Sequence, residues 1–233
     1  MKGPSIEELI ALILTMPTST LIERRNQALF AFILITGCRD GALASLKLKH
    51  VNIEKSYVFL DAAEVKTKYA KSFKTYFFPI DKRVTGIFEE WVSELTTVFA
   101  LNLDAPLFPT ANVQPGYEGG FEPIGVKSVH WTSGSPVRQI FRDVCSAAGV
   151  PYFNPHSLRH SIVRFAMQAG GTPESFKAFS QNLGHENVLT TLMSYGTVSE
   201  ERQAELVASM KSGGERSRLV EELAKVIHAY GVP

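Results

Sequence analysis

The long apolar run that begins after Thr20 constrains the fold more than any other part of this sequence. Thr20 is followed three residues later by Glu23, which is the capping-box pattern that opens a helix. The run ends at Gly37, a residue type that commonly terminates helices. Ser5 followed by Glu8 repeats the pattern and predicts an earlier helix. Because 45% of the 233 residues are hydrophobic, the chain can bury one sizeable core or two small ones, and a single compact domain is the default expectation.

The pattern changes to short strands between residues 51 and 80. Aromatic and β-branched residues dominate positions 57–60 and 73–78, with polar turns between them, which predicts a small antiparallel sheet. Helical periodicity resumes over 84–100. Residues 102–135 hold many Pro and Gly residues without sustained periodicity, so we expect a long surface excursion there.

A capping residue followed by proline marks three later helix starts, at Ser135-Pro136, Asn154-Pro155 and Thr172-Pro173. Charged helical patterns follow at 199–210 and 215–230. The predicted fold class is therefore α+β and mainly helical, with one small antiparallel sheet. We expect a single domain over residues 1–233, with its core at about 5–198 and a helical segment at 199–233.

Overall charge does not reveal a partner, because 24 basic and 23 acidic residues nearly cancel. Any contact with DNA must therefore come from local patterning. Cys38 and Cys145 have no paired spacing, so a disulfide framework is not expected and a reducing, cytoplasmic setting fits best. The apolar run at 9–14 follows two glutamates and is too short to span a membrane, so we expect no membrane association.

The densest local charge lies at residues 65–74, where the predicted hairpin carries Lys66, Lys68, Lys71 and Lys74 with no acid among them. We call residues 65–74 the lysine finger. Such a finger can neutralise the phosphates of a nucleic acid. Lysines also commonly protect exposed strand edges against aggregation, and on the charge pattern alone the two interpretations are about equal.

The segment His-Ser-Leu-Arg-His at residues 156–160 begins a predicted helix. His156 and Arg159 are three apart and share a helix face, so both can reach one anion while the helix N-terminus adds positive charge. His156 and His160 are four apart, which also suits a zinc hydrolase, although no glutamate follows His156 to act as base. A capping histidine and a salt-bridged arginine are the plain structural alternatives.

Two further segments carry side chains of possible chemical use. A Leu-Gly-His turn ends at His185, and Tyr195 follows ten residues later. A Thr-Gly-Cys-Arg segment ends at Arg39, ahead of Leu43 and Leu46. Taken one at a time, these residues are typical of turns, helix corners and core packing.

In order along the chain, these motifs resemble the tyrosine recombinase, or phage integrase, family. The family carries Thr-Gly-x-Arg, Leu-x-x-Leu, a lysine hairpin, His-x-x-Arg, Leu-Gly-His and a tyrosine, and the resemblance covers nearly the whole chain. It implies the catalytic-domain fold of that family. It also implies that Arg39 and Arg159 clamp a phosphate, that His156 and His185 are active-site histidines, and that Tyr195 is the nucleophile.

The family's catalytic lysine is harder to assign by resemblance. The usual pattern places it eight residues before a Val-Pro-like strand end, and Lys71 stands eight before Pro79. Lys71 is therefore the first choice and Lys68 the second. Lys66 is the third, and Lys66 and Lys74 are expected to contact the DNA backbone.

The chain departs from the family pattern in three respects. Ala42 stands where the family commonly has an acidic residue, so Arg39 must be oriented by other groups. The interval from His185 to Tyr195 is one residue longer than the commonest spacing. We also expect the family's N-terminal DNA-binding domain to be absent from this chain.

The resemblance implies an enzyme that cleaves and rejoins DNA at a specific site through a 3′-phosphotyrosine, without metal or cofactor. The implied partners are a double-stranded recombination site and further copies of the chain, in a tetramer on DNA. A type IB topoisomerase uses the same chemistry and is one alternative. A DNA-binding homologue with impaired catalysis is another, and the zinc hydrolase is the third.

Overall fold

The computed structural model describes residues 3–67, 70–116, 120–168, 172–185 and 200–208. The helices are α1 (Ile6–Thr15), α2 (Leu21–Thr36), α3 (Asp40–Leu43), α4 (Lys82–Ser93), α5 (Ser135–Ala147), α6 (Pro155–Gln168), α7 (Pro173–Asn182) and α8 (Glu200–Ala208). The strands are β1 (Val51–Asn52), β2 (Tyr57–Leu60), β3 (Phe73–Tyr76), β4 (Thr110–Pro115) and β5 (Phe121–Lys127). A 3₁₀ turn covers Leu48–His50, and a π-helical turn, Glu94–Val98, extends α4.

Both predicted capping boxes are present. The Glu8 N–H donates to Ser5 Oγ at 3.1 Å, and the Ser5 N–H donates to Glu8 Oε2 at 2.7 Å. Thr20 and Glu23 make the same reciprocal pair at 3.2 and 2.7 Å. Side-chain caps of this kind satisfy backbone donors that a helix leaves open at its first turn, so the local sequence fixes where α1 and α2 begin.

The α2 helix forms the centre of the core, because its last ten residues are buried on every side. The Phe30 ring stacks on Phe141 of α5 with 4.0 Å between centroids. On the other side, Phe32 packs against Phe88 of α4 at 4.8 Å and against Phe108 at 5.5 Å. Aromatic pairs of this geometry add about 0.5–1.5 kcal/mol each beyond simple burial.

Strands β1, β2 and β3 form the predicted antiparallel sheet, in that order. Val58 pairs with Thr75, and both are buried on the core side. Tyr57 pairs with Tyr76 on the outer face, which also carries Lys74. The alternation of side chains along each strand therefore separates a buried face from a solvent face, as the period of two requires.

Residues 102–135 contain structure that the sequence pattern did not reveal. Strands β4 and β5 pair there as a second antiparallel sheet, with an irregularity between Asn112 and Val113. Pro115, Pro123 and Gly125 lie within these strands and interrupt the alternation by which strands are recognised. The prediction of one sheet is thus correct for residues 51–80 but incomplete for the chain.

The predicted start of α5 differs in detail from the structure. Gly134 occupies the N-cap position, and Ser135 is already helical, with Pro136 in the first turn. The Ser135 hydroxyl accepts a hydrogen bond from Arg138 at 3.2 Å. At α6 and α7 the predicted caps are confirmed, since Asn154 Oδ1 accepts from the Ser157 N–H and Thr172 Oγ1 from the Ser175 N–H.

The chain divides into two compact units, residues 1–162 and 163–233. The first unit holds α1 to α5, both sheets and the first turns of α6. The second holds the rest of α6, together with α7 and α8. The expectation of a single domain over 1–233 remains a prediction. No helix among the described residues is long and apolar enough to cross a membrane.

Candidate active site

Arg39 is positioned by the end of α2. Gly37 adopts the left-handed conformation, with φ of 65°, and its N–H donates to the Ile33 carbonyl. The chain reverses there, passes through the buried Cys38, and places Arg39 at the N-cap of the short helix α3. A left-handed residue at this point is strained for side chains other than glycine, so the Thr-Gly-Cys-Arg segment encodes this corner.

Arg159 reaches the same corner from α6. Its side chain is buried, with 4% exposed, and its guanidinium group donates to the carbonyl oxygen of Gly37. Gly37 is two residues before Arg39, so this bond ties the second arginine to the backbone that carries the first. Residues that are distant in the sequence therefore converge within the first compact unit.

The charges of the two arginines act on each other. Burial, followed by the positive charge of Arg39, lowers the pKa of Arg159 to about 9. Burial alone lowers the pKa of the structural arginine Arg25 to about 10. The positive charges of Arg159 and Arg39 also lower the pKa of the Cys38 thiol. Burial outweighs them and raises that pKa to about 11. A pair of like charges held together in this way favours a bound anion, which would offset their repulsion.

His156 lies one turn before Arg159, at the start of α6. The pKa of His156 is lowered. The main cause is partial burial of its ring, and the positive charges of Arg159, His160 and Arg39 add to the effect. The nearby Asp40 opposes this shift. His156 is therefore neutral at neutral pH, and it can accept or relay a proton beside the arginine pair.

The geometry around His160 bears on the zinc alternative. The His156 and His160 rings meet edge to face, with 4.9 Å between centroids. Among the described residues, no group of three or more His, Cys, Asp or Glu side chains is placed to hold a metal ion. That part of the chain gives no support to the zinc hydrolase.

Lys66 of the finger is bonded to the segment that follows the Arg39 corner. Its backbone N–H donates to Ser45 Oγ at 3.0 Å, and Ser45 lies just beyond Ala44, the C-cap of α3. Its Nζ donates to the Thr132 carbonyl at 3.0 Å. Lys71 is exposed on the finger, and Lys74 places its Nζ 4.7 Å from the centre of the Tyr57 ring. Lys68 lies outside the described residues.

Sequence reasoning missed the residues that surround this corner. Thr132 contributes only a carbonyl oxygen, which leaves no mark in a sequence pattern. Asp40 binds Arg138 of α5 at 2.5 Å, and this pair joins residues far apart in the chain. Ser45 lies within the Leu-x-x-Leu segment, where a serine carries no functional signal without the Lys66 contact.

The other predicted site residues belong to the second unit. His185 follows α7, where Gly184 is left-handed with φ of 66° and the His185 N–H donates to the Ser180 carbonyl at 3.0 Å. The Leu-Gly-His turn is thus a helix ending, as its glycine predicts. Tyr195 lies outside the described residues, and its role stays a prediction.

The family profile described as "Phage integrase family" matches residues 5–202 of this chain. The chain belongs to the phage integrase family. The resemblance inferred from the ordered motifs is therefore confirmed at the level of the family.

Curated relatives of this phage integrase family member include two proteins named tyrosine recombinase XerC. The protein from Treponema denticola is 26% identical over 174 residues, covering 73% of this chain and 51% of the relative. The protein from Halalkalibacterium halodurans is 26% identical over 202 residues, covering 84% and 57%. The chain thus spans about half the length of the curated relatives it matches.

Solved structures support the family fold. The crystal structure of XerA recombinase has a TM-score of 0.57 at 20% identity, with 90% of this chain and 62% of that chain covered. A pre-cleavage complex of the XerH site-specific recombinase with difH substrate has a TM-score of 0.59 at 18% identity, with 90% and 53% covered. The predicted fold class, a mainly helical recombinase catalytic-domain fold, is confirmed.

Proposed function

We propose that this chain is the catalytic domain of a tyrosine recombinase, in which Tyr195 attacks a DNA phosphodiester. The Tyr195 oxygen forms a bond to phosphorus, the bond to the 5′-oxygen breaks, and a 3′-phosphotyrosine results. A 5′-hydroxyl of another strand then attacks the phosphorus, releases the tyrosine and completes the exchange. The bond energy is retained in the intermediate, so joining needs no nucleotide cofactor.

The convergence of Arg39 and Arg159 at the Gly37 turn carries this proposal. Each guanidinium group can make paired hydrogen bonds to non-bridging phosphate oxygens. Negative charge on those oxygens increases in the five-coordinate transition state, so the two arginines stabilise that state more than the bound substrate. In other phosphoryl-transfer enzymes a single arginine contributes roughly 10³- to 10⁵-fold in rate.

Proton transfer falls to the histidines and to a finger lysine. The nucleophilic phenol, with an ordinary pKa of about 10, must lose its proton, and neutral His156 beside the arginine pair suits that task. His185 would position the phosphate or the phenol. The leaving 5′-oxygen needs a proton, and Lys66, which is bonded to Ser45 and Thr132, is the proposed donor.

The remaining parts of the proposal concern partners and setting. The DNA partner is a double-stranded recombination site, with Lys74 and the exposed Lys71 contacting its backbone. Several copies of the chain assemble on that DNA, as a tetramer, in the cytoplasm. Protein side chains fill every catalytic role, so no metal or cofactor forms part of the mechanism.

The test is formation of a covalent adduct on nicked DNA. The chain is incubated with a pool of nicked duplexes of randomised sequence, from which a short cleaved fragment diffuses away and traps the intermediate. After denaturation, retained DNA is sequenced and the modified peptide is located by mass spectrometry. We expect the adduct on Tyr195, and none with Tyr195→Phe.

Tyr152→Phe serves as the matched control, since Tyr152 is an exposed tyrosine beside Arg142 and has no proposed role. It should form the adduct at the unsubstituted rate. An adduct that persists in Tyr195→Phe would overturn the choice of nucleophile. Failure to form any adduct, with DNA binding retained, would instead favour the impaired DNA-binding homologue.

A further inference from the structure

A cluster of four charged side chains lies just outside the proposed active site, at the base of the lysine finger. Glu64 accepts from Lys47 Nζ at 2.8 Å and from Lys49 Nζ at 2.7 Å. Asp104 contacts the same two ammonium groups at 3.2 and 2.9 Å. We call Glu64, Lys47 and Lys49 the Glu64 clamp. Its lysines hold the pKa of Glu64 at about 2, so the carboxylate stays charged under the conditions of catalysis.

The lysines of the clamp stand on a rigid base. The Leu48 N–H donates to the Ala105 carbonyl at 3.0 Å, and the Lys49 N–H donates to the Leu103 carbonyl at 2.8 Å. The next segment is fixed as well, because the Leu107 N–H donates to the Leu46 carbonyl at 2.9 Å. Backbone bonds therefore fix the segment from which the two lysine side chains extend.

Glu64 itself lies in a tight turn that leads into the finger. The Glu64 and Val65 N–H groups both donate to the Asp61 carbonyl, at 3.1 and 2.7 Å. Val65 is buried, with 2% exposed. The side chain of Glu64 is bonded to the rigid base while its backbone begins the finger, so it fixes the point from which Lys66 extends.

Lys66 is only two residues beyond this point. Its N–H is bonded to Ser45 and its Nζ to Thr132, which leaves little freedom between the clamp and the ammonium group. A lysine side chain has many rotamers, and a donor that must meet one leaving oxygen gains from a fixed origin.

We propose that Glu64 is a positioning residue for the strand-cleavage step. By binding Lys47 and Lys49 it anchors the lysine finger, so that Lys66 delivers its proton to the leaving 5′-oxygen. This inference rests on the proposed function, in particular on Lys66 as the proton donor. In this proposal Glu64 acts through the finger and not by contact with the DNA or the reacting atoms.

The experiment compares two leaving groups on one duplex selected from the nicked pool. One form carries the normal 5′-oxygen at the scissile phosphate, and the other carries sulfur at that bridging position. A thiolate is a far better leaving group than an alkoxide, since a thiol has an ordinary pKa of about 8.5, and it departs without a proton. A defect confined to proton delivery is therefore repaired by sulfur.

With Glu64→Gln we expect cleavage of the oxygen substrate to slow by about 10- to 100-fold, a part of the 10²- to 10⁴-fold that general acid catalysis typically provides. Cleavage of the sulfur substrate should stay within about twofold of the unsubstituted chain, because no step of thiolate departure uses the lysine proton. Glu64→Asp, which keeps the charge on a shorter side chain, should give an intermediate rate with oxygen. Lys66→Ala should show the larger oxygen defect and the same repair by sulfur.

Asp104→Asn is the matched control, because Asp104 contacts the same lysines but is not part of the finger. It should cleave both substrates like the unsubstituted chain. Equal slowing of Glu64→Gln on both substrates, or full activity on oxygen, would overturn the positioning role. If sulfur fails to repair Lys66→Ala, the proton-donor role of Lys66 fails, whereas absence of any selected duplex would overturn the proposed function itself.

Discussion

Two buried arginines in this chain illustrate how a single residue acquires a function. Arg25 and Arg159 are equally buried, each with 4% exposed. Arg25 donates to the Pro109 carbonyl at 2.9 Å and lies against the Trp131 ring, so it serves the fold. Arg159 is instead held beside a second arginine, Arg39, where burial and like charge both act against it. That arrangement adds nothing to the stability of the fold, whereas two neighbouring positive charges stabilise a bound anionic ligand.

Arg159→Lys is expected to slow DNA cleavage by roughly 10³-fold or more, because an ammonium group cannot make the paired bonds of a guanidinium group. Binding of DNA should change much less. Single-turnover adduct formation and equilibrium binding on one selected duplex measure the two effects. Arg25→Lys is the control for burial, and it should lower the free energy of unfolding while leaving the cleavage rate of the folded protein intact. Equal losses of binding and cleavage in Arg159→Lys would indicate a simple backbone contact.

A site residue could be predicted from the sequence where its signal lies within a few neighbouring residues. The pairing of His156 with Arg159 followed from helical spacing, and the structure places both beside Arg39. The choice among the finger lysines stays a prediction, for which the spacing to Pro79 favours Lys71. The contacts of Lys66 to Ser45 and Thr132 are the basis for proposing Lys66, and no local sequence pattern indicates them.

At the level of elements, the end of α2 does most to build the site. Gly37 both terminates the helix and supplies the carbonyl that Arg159 binds. The sequence predicted the helix end from the glycine alone. The second role depends on α6 arriving from a distant part of the chain.

Gly37→Ala should destabilise the protein by about 1–2 kcal/mol, the cost of a left-handed backbone for an alanine. It should also reduce strand cleavage, since any shift of the Gly37 carbonyl moves Arg159. Gly149→Ala is the matched control, because Gly149 has the same φ of 65° and an added Cβ there meets nothing within 4 Å. Urea unfolding should show similar losses for both variants, and adduct formation should fall only for Gly37→Ala. Equal cleavage by the two variants would show that the Gly37 carbonyl does not position Arg159.

At the scale of the whole molecule, histidines link stability to pH, and the described part of the chain shows this for His50, His130 and His156. Burial is the main cause that lowers the pKa of His50, His130 and His156 below the ordinary value of 6.5. Below that pH the unfolded chain binds more protons than the folded chain, so the free energy of unfolding decreases. The carboxylates of Glu64 and Asp104, whose pKa values are lowered, lose their contribution only at more acidic pH.

We therefore expect the melting temperature to fall as the pH is lowered from 7.5 to 5.5. Scanning calorimetry is sensitive enough to detect this, because a change of 1 kcal/mol in the free energy of unfolding shifts the melting temperature of a chain of this size by about 2–4 °C. His130→Gln replaces one titrating ring by an uncharged amide and should reduce the slope of melting temperature against pH. A melting temperature that is constant or rises on acidification would contradict the prediction.

The sequence alone determined the features that are encoded within a few residues. Capping pairs, helix-ending glycines and the alternation of strands β2 and β3 are local, so their elements were predicted, and the order of short motifs identified the family. The β4–β5 hairpin was not predicted, because its prolines, its glycine and its irregular register interrupt the alternation of buried and exposed side chains. Only the tertiary structure decided that Arg159 binds the Gly37 carbonyl near Arg39 and that Glu64 binds Lys47 and Lys49, because those contacts form between segments whose approach is set by packing of the core.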